Sequence, residues 1–485
     1  MRDYWREQRS DRVTDEQRLP FSVAAIDTES PGGGFLHSRG RFLMTHEAET
    51  VLDLGNQTPP DTPNFPSPLD PVHYTDVSVE GSPLYRLGIR EYEYSGAEDL
   101  PGHVAELQCR ARARARSRGP ALAPIAADRC VVALHYVVTG EIGWIPKGNP
   151  DTPPEEVAAV RALKWGVGAP EIAVVDTGLD IYSTVTGEYA LSDAAAPTRP
   201  EGSVLYVDKE LDLDLLRAEL PGGGRSDSLA AQAGHGTFIT WVAERMSGEN
   251  TRIVNVRALD PDGVGTERML VAALSRLLEA HPGIAVVNMS LGGYSDPTDY
   301  AALGPQFADA SPPNTIPLGI GAWLDANSDL PQQPLFVAAA GNNGIAGREF
   351  WPAADGRVVA VGSINTNQKR SSFSNSGPWV DVWSLGERIV GDYPQGDFEV
   401  AAGSPVHLNG GARWSGTSFA APVVVGEIVR RRHVAPPPGK PAPSPVEAWA
   451  DFRIELEAGG LLGPDDQGVL WDPRSSDPTR DPTQL

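Results

Sequence analysis

From about residue 165 onward the chain repeats one pattern: a short run of Val, Ile and Ala, a turn, then a helix-like stretch. The apolar runs are EIAVVDTG, RIVNVRAL, IAVVNMSLGG, LFVAAAGNNG and VVAVGSI, with stretches such as MLVAALSRLLEAH between them. A strand with one wet face alternates apolar and polar residues. These runs do not alternate, so both faces of each strand need cover. Helices that connect parallel strands provide it. The pattern therefore predicts an α/β architecture, a mainly parallel sheet with helices on both sides.

The flanking regions read differently. Residues 1–74 lack a clear period and contain PPDTPNFPSPLDP (Pro59 to Pro71), which predicts an N-terminal arm with a Pro-rich linker. LYRLGIREYEY, AEDLPGHVAELQCRARARARS and CVVALHYVVTG follow in strand, helix, strand order and predict a small α+β module over 75–150. IPKGNPDTPPEE marks the next boundary, leaving 160–434 as the main domain. Residues 435–485 open with APPPGKPAPSP, continue with the amphipathic VEAWADFRIEL and finish in DPRSSDPTRDPTQL, a Pro-rich linker and a mobile tail.

The formal net charge is -24 and the pI is near 4.8. Such a surface repels phosphate backbones and argues against nucleic acid as a partner. Arg110, Arg112, Arg114, Arg116 and Arg118 are the local exception. On a helix they spread around the circumference and read as a solvated face, with a docking surface as the alternative. Cys109 and Cys130 lack zinc-site spacing, and one bridge or two free thiols fits equally. The charged start MRDYWREQRSDR leads into no apolar stretch of leader length, and no run approaches the ~20 apolar residues of a membrane span. These readings predict a cytoplasmic protein with no membrane partner, the alternative being export by a non-standard route.

Four segments carry chemistry. In IAVVDTG a buried strand delivers Asp176 to its C-terminal end, where open α/β sheets place their sites. In GHGTFITWVAE, His235 stands between two glycines at a helix start, so other backbone can approach the ring. In LFVAAAGNNG a strand ends at Asn342, an amide donor suited to a developing oxyanion. In SGTSFAAPVVVGEIV, Ser418 opens a buried helix whose N-terminus offers free N–H groups beside the hydroxyl, and Pro422 sits in the first turn, where a missing N–H does no harm. Each residue alone has a bland reading as a turn or cap. Four such readings in the order Asp, His, Asn, Ser, all at strand ends or helix starts, form a less economical account than one catalytic site.

With D-T-G, G-H-G-T, S-L-G-G, A-A-G-N and G-T-S-x-A-x-P together, the sequence resembles the subtilisin-like serine protease family over roughly 165–432. RIVNVRALDPDGVGT (Arg252 to Thr266) and RSSFSNSGPWVDVWSLG (Arg370 to Gly386) extend the likeness. The resemblance implies a three-layer fold with a mainly parallel, seven-stranded sheet beside the small α+β N-terminal module. It implies a catalytic triad of Asp176, His235 and Ser418, with Asn342 in the oxyanion hole. It also implies that substrate pairs with Ser290, Leu291, Gly292 and Gly293, and that Ala339, Ala340 and Gly341 wall the pocket for the residue before the cut. The expected activity is that of a serine endopeptidase acting on a dedicated protein or peptide. A peptide ligase or macrocyclase using the same acyl-enzyme, and an inactive peptide-binding module, are the alternatives. No cofactor is required. Structural calcium occurs in the family, but Asp260 and Asp262 in DPDG read more simply as a turn. The N-terminal region is expected to act either as an intramolecular inhibitor or as a docking module. The stretches DPTDYAALGPQFADASPPNTIPLG and GDYPQGDFEVAAGSPVHLNGGARW look enlarged relative to compact members.

Overall fold

The computed structural model describes residues 21–25, 34–52, 74–95, 100–117, 126–140, 150, 171–178, 204–205, 217–219, 225–229, 232, 234–248, 251–259, 263–295, 316–328, 333–394, 396–398, 406–408, 410–434 and 441–484. The Pro59 to Pro71 linker, the Ile145 to Glu156 boundary apart from Pro150, Asp260, Asp262, most of the first enlarged stretch and residues 395, 399–405 and 409 of the second lie outside them.

The N-terminal module is an antiparallel sheet of β1 (Phe21–Ala25), β2 (Gly34–Thr45), β3 (Tyr74–Asp76), β4 (Ile89–Tyr94) and β5 (Val132–Thr139). β2 lies between β4 and β5, and β1 also pairs with it. The module thus begins well before residue 75, and the expected arm of 1–74 contains its central strand. The period was hidden because β2 serves two layers. Phe42 and Met44 pack with Leu134 and Tyr136 under helix α1 (Leu100–Ser117), whereas Leu43 turns the other way into the main domain. Nor do the α1 arginines form one solvated face, although Arg116 is exposed. Arg110 and Arg112 are buried, Arg110 pairs with Glu106, and Arg114 donates to the carbonyl oxygens of Val51 and Leu52. Cys109 and Cys130 are both buried.

In the main domain, among the described residues, eight parallel strands form one sheet. They are β6 (Ile172–Asp176), β7 (Val204–Leu205), β8 (Ile253–Arg257), β10 (Val286–Met289), β11 (Leu335–Ala339), β12 (Val358–Ile364), β13 (Val382–Leu385) and β14 (Val469–Leu470). Their spatial order is β14-β13-β12-β11-β10-β6-β8-β7. Seven come from the expected domain and the eighth from the region expected to be linker and tail. Ile172, Val174, Val286, Val337 and Val361 face α2 (His235–Ser247) and α5 (Thr417–His433). Ala173, Val175, Val287, Phe336 and Ala360 face α3 (Glu267–Ala280) and α4 (Leu318–Ala326). Two apolar layers on opposite faces explain the unbroken runs. The short strand β9 (Val264–Thr266) leaves this sheet and pairs antiparallel with β5, completing the module's sheet.

The final residues are docked, contrary to the mobile tail expected. A capping box of Ser444 and Glu447 starts α6 (Pro445–Ala458), whose Trp449 and Phe452 enter the core beside α5. Beyond β14, Trp471 N–H donates to the Trp383 carbonyl oxygen at 2.9 Å, and Val390 N–H donates to that of Pro482 at 3.0 Å. Arg480 reaches the buried carboxylate of Glu427 at 2.6 Å and the Met246 carbonyl oxygen at 2.8 Å.

Candidate active site

β6 carries Asp176 to the C-terminal edge of the sheet, where its Oδ1 accepts the Thr177 N–H at 2.8 Å. The Asp176 carbonyl oxygen accepts N–H groups from Ala258 at 2.8 Å and Leu259 at 3.2 Å, which anchors the strand end to the chain leaving β8. His235, the first residue of α2, points Nδ1 at Asp176 Oδ1 across 2.7 Å, and both side chains are fully buried. A carboxylate can only accept, so this contact assigns the proton to Nδ1 and leaves Nε2 as the basic nitrogen. The flanking glycines are needed. Gly234 has φ 78°, in the left-handed region, and a Cβ on Gly236 would lie 3.1 Å from the Gly178 nitrogen. Gly236 N–H also donates to Thr177 Oγ1 at 3.0 Å, so the Asp and His segments are strapped together.

Ser418 and Asn342 form a second set. Asn342 Oδ1 accepts from the Thr417 N–H at 2.8 Å and from Thr417 Oγ1 at 3.0 Å. A backbone N–H only donates, so the amide cannot be flipped, and its NH2 end must face the opposite way. Thr417 Oγ1 in turn accepts the Gly341 N–H at 3.1 Å. The Ser418 hydroxyl donates to the Ser290 carbonyl oxygen at 3.3 Å, not to the imidazole. Ser290 Oγ donates back to the Ser418 carbonyl oxygen at 2.7 Å and accepts from Asn288 Nδ2 at 2.9 Å. The two sets adjoin through Phe419, whose ring centroid is 5.5 Å from that of His235. The structure therefore joins Asp176 to His235 and Ser418 to Ser290, with the serine–histidine bond unmade.

The expected substrate edge is occupied by the chain itself. Thr139 N–H donates to the Gly292 carbonyl oxygen at 2.8 Å, and Gly292 N–H donates to that of Thr139 at 3.0 Å. Gly140 N–H donates to the Gly263 carbonyl oxygen at 2.8 Å. A Cβ on Gly140 would stand 3.6 Å from His235 Nδ1. The end of β5 is thus an extended strand held from both sides beside the imidazole. Gly293 departs from the expected role: its N–H and carbonyl oxygen both bond to Trp351, at 2.8 and 2.9 Å, which takes it off the binding edge. Leu291 is buried in the core shared with the module. Ala339 and Ala340 are buried too, and Ala340 gives its N–H to Val361 and accepts from Asn375 Nδ2. Gly341 bonds through its carbonyl oxygen to Asn375 N–H at 3.0 Å.

Residues 169–432 match the model of the Subtilase family, more than half of the chain. The chain belongs to the subtilase family. This subtilase is similar to the thermophilic serine proteinase of Bacillus sp. (strain AK1), 32% identical over 266 residues, or 54% of this chain and 51% of that one. It is also similar to subtilisin-like protease 1 of Arthroderma otae, 32% identical over 202 residues, covering 40% of this chain and 34% of the relative. The match spans about half, or less, of these relatives' length. Among solved structures, a lanthipeptide protease aligns with TM-score 0.41 and 20% identity over 62% of this chain and 86% of its own. A cold-adapted subtilisin-like serine proteinase aligns with TM-score 0.38 and 22% identity over 68% and 98%.

The subtilase also holds residues that position the site and that its sequence did not single out. Thr417 fixes the Asn342 amide, and Asn375 ties the loop after β11 through Asn343 N–H at 3.1 Å and Ile345 N–H at 3.0 Å. Both sit inside quoted motifs, where a polar residue in an otherwise buried run was the available signal. Glu267 lies fully buried where module meets domain. Its carboxylate accepts N–H groups from Tyr136 at 3.0 Å and Gly319 at 2.7 Å. Burial pushes its pKa up, against the nearby His135 and these donors. Glu91 shows the opposite balance. Burial alone would raise it, but the His135 hydrogen bond and charge, with Arg268 and Arg41, hold it at about 2. Among the described residues no group of three or more His, Cys, Asp or Glu could hold a metal ion, and no helix is long and apolar enough to cross a membrane.

Proposed function

We propose that this subtilase is a serine endopeptidase that cuts a protein or peptide through an acyl-enzyme. The observation that carries the reading is the buried Asp176–His235 bond of 2.7 Å beside Ser418, with the Asn342 amide locked by Thr417. Turning Ser418 Oγ from the Ser290 carbonyl oxygen toward His235 Nε2 completes the triad. The hydroxyl then attacks a peptide carbonyl carbon while Nε2 takes its proton. The oxyanion accepts from Asn342 Nδ2 and the Ser418 N–H. As the C–N bond breaks, His235 gives that proton to the leaving amine, and water repeats the sequence on the acyl-enzyme. Asp176 stabilises the imidazolium throughout. The cycle uses only side chains, backbone N–H groups and water.

The N-terminal module acts in this reading as an intramolecular inhibitor. Its support is the end of β5, which fills the edge a substrate strand would use and places Gly140 against the imidazole. Strand addition of this kind gives affinity through main-chain bonds. The test is Ser418→Ala: cleavage of denatured protein and labelling by a fluorophosphonate should both vanish. Wild-type cleavage by that variant would refute the assignment. Mass spectrometry of the products separates hydrolysis from ligation or cyclisation.

A further inference from the structure

The peptidase reading requires a place for the side chain that precedes the cut. Its carbonyl carbon must reach Ser418 Oγ while its oxygen faces Asn342. That side chain therefore has to enter between the Ser290–Gly292 edge and the Ala340–Asn342 loop, which follow the adjacent strands β10 and β11. Gly292 and Gly341 are the positions on those two walls without side chains. The space between them is not open. A Cβ built on Gly292 would lie 2.9 Å from Phe350 Cδ1, and one built on Gly341 would lie 3.0 Å from Phe350 Cγ and 3.1 Å from Cδ1. One aromatic ring is thus packed against both walls.

The ring is held firmly. Phe350 is 6% exposed and meets Tyr294 edge to face, with centroids 5.1 Å apart. Tyr294 is fixed in turn by donating to Asn343 Oδ1 at 3.1 Å and accepting from Asn375 Nδ2 at 2.7 Å, with the Arg348 guanidinium 4.2 Å from its ring centroid. The next residue, Trp351, exchanges two backbone hydrogen bonds with Gly293. Displacing Phe350 would disturb all of these contacts, and a packed interior resists such an insertion.

We infer that Phe350 closes the slot for the residue before the cut, so that this enzyme requires Gly, Ala or Ser there. The inference rests on the peptidase reading and adds its substrate class. Nothing in the opening motifs encodes it, because Phe350 lies outside all of them.

The experiment uses the full chain and a Thr139→Pro form in which the occupying strand is weakened. Quenched peptides with fixed flanks carry Gly, Ala, Ser, Leu or Phe before the scissile bond. The Ala peptide should exceed the Phe peptide in kcat/KM by about 100-fold, the scale on which steric pockets discriminate. Phe350→Gly should raise cleavage of the Phe peptide at least about tenfold, and Phe350→Leu, which keeps the position buried and apolar, should fall between. Equal cleavage of Ala and Phe peptides by the unaltered pocket would overturn the inference and leave the peptidase reading intact. An unchanged ranking in both Phe350 variants would overturn it too. Failure of both full-length forms, the unaltered chain and Thr139→Pro, to react with a fluorophosphonate would remove both readings together.

Discussion

The two sheets of this molecule are built on opposite plans. The main sheet is parallel, buried on both faces and closed at one edge by β14. The module's sheet is antiparallel and reaches its full width only by adding β9 from the domain. One region is self-sufficient in strands, and the other leans on its neighbour. The comparison teaches where the proposed chemistry and control would reside: the first sheet positions Asp176 and Asn342, while the second reaches His235 through the end of its own strand β5, held between β9 and Gly292.

The sharpest way to break that division is to strike the domain alone. Asp176→Asn should leave the fold in place but lower kcat by about 10⁴, because the imidazole loses its acceptor and its tautomer. Asn342→Ala should cost about 10²–10³ in kcat, a magnitude that comes from the same amide in subtilisin itself. If either variant also released the module, the two regions would not be separable in this way. Acid probes the other side. Glu91 belongs to the module, and its folded pKa of about 2 lies below the ordinary 4.5. Its stabilisation is present above about pH 4.5 and is lost as pH falls toward 2, about 3 kcal/mol in all. Denaturant unfolding between pH 5 and 2 should show this loss, and Glu91→Gln should flatten it. Glu267 runs the opposite way, since a raised carboxyl pKa makes its ionised form costly in the fold. The smallest expected effect is on control: Thr139→Pro removes both the N–H and the hydroxyl donor to the Gly292 carbonyl oxygen and should raise peptide cleavage by the full chain about tenfold. No rise would separate β5 from inhibition.

Legibility follows the same divide. The main sheet was readable because burial on both faces leaves unbroken apolar runs, and Asp176, His235, Asn342 and Ser418 each mark an end of an apolar run or the start of a helix. β2 was not, since Phe42 and Leu43 serve different layers and the polar neighbours Ser38 and His37 are themselves buried. Arg480 and Asp472 made the last residues look solvated. In the fold they are partners, Arg480 to Glu427 and Asp472 to Arg474 at 2.8 Å. For Arg480 the opposite charge lies far back along the chain, and sequence proximity cannot reveal that. Thr417, Asn375 and Phe350 escaped for a similar reason: each acts between segments that are remote along the chain.

The position of β14 carries a consequence for biosynthesis. On the ribosome, Val132–Thr139 emerges long before Val469–Leu470, which must follow before the outer edge beside Trp383 is covered. A nascent polypeptide therefore completes the module's own strands early and the outer edge of the main sheet late, so under the proposed reading the restraint is made before the scaffold it would restrain is finished.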